Sequence, residues 1–68
     1  SYINGVSDIL GILPDGRFLA IECKRSKGGI VSEDQKRFLS NIEKNNGVAL
    51  VINDSQLLIQ KLNEILKR

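Results

Sequence analysis

The run Leu13-Pro14-Asp15-Gly16-Arg17 lies between two apolar stretches, Ile9 to Leu13 and Phe18 to Ile21, and it restricts how those stretches can pair. Proline presets φ at the first turn position, aspartate tolerates the second, and glycine supplies the left-handed residue that follows a type I turn. That order suits a three-residue hairpin loop with a glycine bulge better than a two-residue loop. Leu13 then lies opposite Arg17, and counting back places Asp8 opposite Glu22. Side chains two apart on a strand share a face, so Asp8, Leu10, Ile12, Phe18, Ala20, Glu22 and Lys24 fall together. A two-residue loop would pair Asp8 with Cys23 and turn it away from Glu22.

The register matters because of the chemistry it gathers. Glu22 and Lys24 belong to Ile21-Glu22-Cys23-Lys24, and Cys23 faces the other way. Taken alone, Glu-x-Lys is common and reads as a surface ion pair. With Asp8 alongside, it becomes an oxygen-rich cation site with a fixed positive charge. Two carboxylates ~4 Å apart at an effective dielectric of about 20 repel by about 4 kcal/mol. Lys24 offsets part of that, and a divalent cation would offset more. Hard oxygen donors in a chain without histidine point to Mg²⁺ or Mn²⁺ rather than Zn²⁺. With no histidine as general base, a water activated beside the cation and Lys24 is the natural nucleophile for cleaving a phosphodiester.

At these residues the chain resembles the PD-(D/E)xK nuclease superfamily, and within it the VRR-NUC (virus-type replication-repair nuclease) family. The matching runs are Gly5-Val6-Ser7-Asp8-Ile9-Leu10-Gly11, Asp15-Gly16-Arg17-Phe18 and Ile21-Glu22-Cys23-Lys24. They continue with Ser32-Glu33-Asp34-Gln35, Phe38-Leu39 and Asn46-Gly47-Val48-Ala49-Leu50-Val51. The resemblance extends from about Ile3 to about Leu58. It implies that Asp8, Glu22 and the backbone carbonyl of Cys23 bind the metal. It further implies that Lys24 orients the attacking water or stabilises the developing charge, and that Gln35 lines the site from the next helix. Family members carry a helix and a strand before the first motif. This chain begins a few residues before Asp8, starts with Ser and contains no Met, which predicts an N-terminally truncated fragment.

At 68 residues the chain is at most one domain, spanning 1–68, and a chain of this size buries only about 60% of its extended surface. A marginal core predicts a partner subunit, here a second copy, or an additional segment. The net charge of +2 does not by itself announce nucleic acid. Its distribution says more, because Arg25 and Lys27 follow Lys24, and Lys36 and Arg37 open the next helix. Basic runs are usually solvated faces. Beside this site, Arg25, Lys27 and Lys36, with Ser7 before Asp8, are the candidate DNA contacts. No aromatic residue interleaves with them except Phe38, so base stacking is not indicated. One cysteine allows no intramolecular disulfide, and Cys23 reads as a small buried hydrophobe in a reducing compartment. No apolar run is long enough to span a bilayer, so an intracellular location without membrane attachment is expected.

Ser32 reads as a helix N-cap with Glu33 and Asp34 in the first turn, and Gln35 completes a capping box. Gln35 therefore has a purely structural reading of equal weight beside the active-site one. Gln35, Phe38, Leu39 and Ile42 form one helical face, and Asn46-Gly47 ends the helix by left-handed capping. Val48 to Ile52 reads as a strand covered on both faces. Asp54 or Ser55 caps a second helix through about Leu66, with Leu58, Leu62, Ile65 and Leu66 on one side. Strand–helix–strand order implies a right-handed crossover, with the last strand parallel to the one carrying Glu22. The expected class is α/β: an antiparallel hairpin plus a parallel strand, flanked by helices. The resemblance makes it a restriction-endonuclease-like core lacking its N-terminal helix. Both faces of the hairpin are largely apolar and need more cover than the two helices supply.

The leading expectation is a Mg²⁺- or Mn²⁺-dependent, structure-specific DNA endonuclease acting in replication, repair or recombination. Resemblance to stand-alone viral members implies branched DNA such as Holliday junctions, cut by a homodimer whose two-fold symmetry places paired incisions. The alternatives are a restriction-type or general repair endonuclease, and a non-cleaving DNA-binding module on the same fold.

Overall fold

The computed structural model describes residues 5–24 and 30–67. Three strands and two helices follow in the order β1 (Ile9–Ile12), β2 (Phe18–Cys23), α1 (Glu33–Lys44), β3 (Val48–Ile52) and α2 (Ser55–Leu66). The sheet order is β1-β2-β3, with β1 antiparallel to β2 and β3 parallel to it. This is the small mixed α/β sheet that the sequence predicts.

The turn behaves as its residues dictate. The Leu13 N–H donates to the Arg17 carbonyl at 2.8 Å, and the Gly16 N–H donates to the Leu13 carbonyl at 2.8 Å. Gly16 takes φ +92°, which a side chain would oppose. Asp15 accepts from the Arg17 backbone N–H at 3.1 Å and from its Nε at 2.8 Å, tying the loop to the start of the next strand. The ladder then runs Ile12↔Phe18, Gly11↔Leu19, Leu10↔Ala20 and Ile9↔Ile21. That is the three-residue-loop register.

Each helix takes one face of the sheet. Ala20 pairs with Ala49 and Glu22 with Val51, while Leu19 pairs with Val48 and Ile21 with Leu50. Helix α1 lies over the first set, against β2 and β3, with Leu39 buried and Gln35, Phe38 and Ile42 half-buried. Helix α2 lies against β3, where Lys61, Glu64 and Ile65 flank a cavity of about 240 Å³ with Val48 and Leu50. Leu58, Leu62 and Ile65 are half-buried, but Leu66, expected on the packed side, is exposed. Val51 is exposed as well, because β3 is an edge strand and α1 covers it only in part; it was expected to be covered on both faces.

The helix ends follow local chemistry. The Ser32 hydroxyl accepts from the Gln35 N–H at 3.1 Å and the Gln35 Oε1 accepts from the Ser32 N–H at 2.9 Å, completing the box. At the other end the Gly47 N–H reaches the Ile42 carbonyl and the Asn46 N–H reaches the Glu43 carbonyl. This is a Schellman closure in which Asn46, at φ +66°, takes the left-handed position. Asp54 caps α2 by accepting from the Gln56 N–H at 2.7 Å.

On the α1 side, cover stops short of β1. Leu10, Ile12 and Phe18 remain exposed, Ile12 at 76%. Among the described residues, the hairpin faces thus lack the cover that their apolarity asked for. Among the described residues, no helix is long and apolar enough to cross a membrane.

Candidate metal centre

Continuing the hairpin register one step beyond Ile9↔Ile21 brings Asp8 opposite Glu22 on the α1 face. Asp8 is exposed and Glu22 is 2% exposed, so one carboxylate borders solvent and the other is enclosed. Asp8 Oδ2 accepts from the Cys23 N–H at 2.8 Å. The carboxylate thus caps the β2 ladder where backbone pairing with β1 has ended. A residue's N–H and C=O point toward the same neighbouring strand in an antiparallel ladder. The Cys23 carbonyl is therefore directed to the Asp8 side of β2, as a third oxygen donor would require.

Lys24 stands one step past β2, held by its own N–H donating to the Ile52 carbonyl at 2.8 Å. Its Nζ is 3.6 Å from Glu22 Oε2 and donates to Gln35 Oε1 at 3.1 Å. Gln35 therefore caps α1 and meets the lysine at once. Both contacts meet at one amide oxygen.

Glu22 sits where its negative charge is disfavoured. Burial pushes its carboxyl above the ordinary value, and the nearby Asp8 charge pushes the same way while Lys24 pulls it back. Glu22 Oε1 is enclosed without a hydrogen-bond partner. A buried carboxylate oxygen left unpaired is costly in a folded protein, and an oxygen-seeking cation would satisfy it. Among the described residues no three Asp, Glu, His or Cys side chains gather as a complete cluster. Two carboxylates and a carbonyl still fit Mg²⁺, which keeps several waters and takes substrate phosphate oxygens.

Cys23 was expected to be buried, and its thiol is exposed. Helix α2 lies against β3 and leaves the end of β2 without cover on that face among the described residues. Ser7, a candidate DNA contact from the sequence, is 6% exposed with its hydroxyl enclosed and unpaired. The physical reason is the close packing of the segment entering β1. Gly5, at φ +84°, lies so near α1 that a Cβ there would stand 2.6 Å from the Asp34 carbonyl. Arg25 and Lys27 lie outside the described residues. Lys36 is exposed, with its ammonium 3.6 Å from Glu33, and Arg37 pairs with Asp34.

No protein-family model matches the chain, and neither the curated proteins nor the solved structures contain a match to it. Any functional reading rests on the geometry and the resemblance of its motifs.

Proposed function

We propose that this chain is a Mg²⁺- or Mn²⁺-dependent DNA endonuclease with a PD-(D/E)xK core of the VRR-NUC kind. The observation that carries the reading is Glu22: enclosed, with one oxygen unpaired, beside Asp8 and 3.6 Å from the Lys24 ammonium. Asp8, Glu22 and the Cys23 carbonyl hold the cation. When bound, the cation polarises the phosphoryl group and acidifies a water. Lys24 holds that water or meets the charge developing on the phosphate oxygens, and Gln35 fixes the direction of Lys24. Lys36, with Arg25 and Lys27 from the adjoining sequence, supplies phosphate contacts. Branched DNA is the proposed substrate, cut by a homodimer inside the cell during replication, repair or recombination.

The test is cleavage of junction, flap and linear duplex DNA with Mg²⁺ or Mn²⁺, run beside calorimetric titration of the metal. Asp8→Ala and Glu22→Ala should each bring cleavage to background while thermal unfolding stays cooperative. Wild-type rates in either variant remove that residue from the ligand set. Metal and DNA binding without cleavage by the unaltered chain would favour the non-cleaving module, and an absence of metal binding would sink the nuclease reading.

A further inference from the structure

The Lys24 ammonium lies between the Glu22 carboxylate, at 3.6 Å, and a neutral acceptor, the Oε1 of Gln35, at 3.1 Å. That oxygen has two lone pairs, and the structure uses both, one for Lys24 at 3.1 Å and one for the Ser32 N–H at 2.9 Å. The Gln35 backbone is fixed in turn by its N–H donating to the Ser32 hydroxyl at 3.1 Å. A glutamine side chain rotates about three bonds and has no reason of its own to face a lysine on a neighbouring strand. Here the capping box removes that freedom.

We infer that Ser32 is a positioning residue for Lys24, acting through Gln35. The Ser32 cap aims one amide oxygen at the ammonium, so closure of the first turn of α1 and orientation of the lysine are one event. The inference uses the proposed nuclease reading only for its catalytic consequence; the positioning itself is measured without any cleavage. A lysine on a long flexible stem has many rotamers, and here the Gln35 oxygen adds a fixed direction to the attraction of Glu22. Lys24 is 17% exposed, which makes its release detectable.

Amine labelling with a limiting acylating reagent, read by mass spectrometry, measures Lys24 against the exposed Lys44 and Lys61 in the same molecule. Ser32→Ala removes the hydroxyl that fixes the Gln35 N–H and the first turn of α1, while the residue-32 N–H and Glu22 remain, and should raise relative Lys24 labelling. Ser32→Thr keeps a hydroxyl at the cap and should restore the wild-type ratio. Asp54→Ala weakens the cap of α2 by a comparable amount without touching Lys24, and should leave the ratio unchanged. In cleavage assays Ser32→Ala should lower kcat with metal affinity retained, and Ser32→Thr should recover it. An unchanged labelling ratio in Ser32→Ala overturns the inference, as does an equal rise in Asp54→Ala, which would show general loosening. A labelling change in a chain that cleaves no DNA would uphold the positioning and reject the nuclease reading separately.

Discussion

On the α1 face of the sheet the most completely enclosed large side chain is the carboxylate of Glu22, whereas on the α2 face the enclosed side chains are Leu13, Ile21 and Ile52. The α2 face does what apolar burial ordinarily does, each large aliphatic contributing about 1.5–3 kcal/mol. The α1 face encloses one carboxylate, with an unpaired oxygen and the like charge of the exposed Asp8 beside it, which work against folding. The helix above the charges is also the better anchored. Helix α1 has a reciprocal capping box and a Schellman closure, while α2, equal at 12 residues, has a single aspartate cap and buries no residue fully. Large aliphatic burial within the sheet and the enclosed charge thus lie on opposite faces. The side that encloses charge has the firmer cover.

Three substitutions put that contrast under strain. Ile21→Ala, on the apolar face, has the largest expected effect on stability, a loss of about 2–5 kcal/mol. Urea denaturation reads it directly, and a loss below about 0.5 kcal/mol would show that this face is not the source of stability. In a domain whose whole stability is about 5–15 kcal/mol, the expected loss leaves a substantially unfolded population.

Glu22→Gln, one residue along on the opposite face, should change stability in the other direction. Because the folded pKa of Glu22 is raised, the folded state binds its proton more tightly than the unfolded state. Stability therefore falls as pH rises from the ordinary carboxylate value through the raised one, and is flat above it. The glutamine variant escapes that fall. It should match the unaltered chain in acid and exceed it at neutral pH, with Mg²⁺ narrowing the gap by stabilising the ionised glutamate. A constant difference across the pH range would show that Glu22 does not titrate differently in the two states.

Gln35→Glu should have the smallest effect on stability, because glutamate completes a capping box as well as glutamine. Its effect should appear in cleavage instead, since a third carboxylate beside Lys24 and Glu22 repels the scissile phosphate. Unchanged cleavage would leave Gln35 a cap alone.

Much of this was legible in the sequence, and for identifiable reasons. Pro14, Asp15 and Gly16 specify a loop length, and loop length specifies which side chains share a face; the Asp8–Glu22 pairing follows by counting. Ser32 and Gln35 announce their box by spacing. Burial was harder, because alternation assigns a face without saying how far cover extends. Cys23 was placed on an apolar face correctly by parity, yet its end of that face lies open. Ser7 was read as a DNA contact from its place before Asp8, and it is enclosed by a segment whose path depends on Gly5 fitting against α1. The shared oxygen of Gln35 is a tertiary fact, set by where α1 docks relative to Lys24, and no local pattern encodes it.

The tight turn at Leu13–Arg17 also bears on the order in which the molecule assembles. Asp8 and Glu22 are brought together by a hairpin, and hairpins form in about 1–10 μs without waiting for distant contacts. Gln35 reaches Lys24 only after the chain has crossed over and α1 has docked, a slower closure between elements farther apart. The acidic pair therefore exists as a local unit before its lid. A cation that captured it at that stage would offset the mutual repulsion of the carboxylates and hold the nascent hairpin together. Metal concentration would then influence how quickly the fold is reached as well as how stable it is.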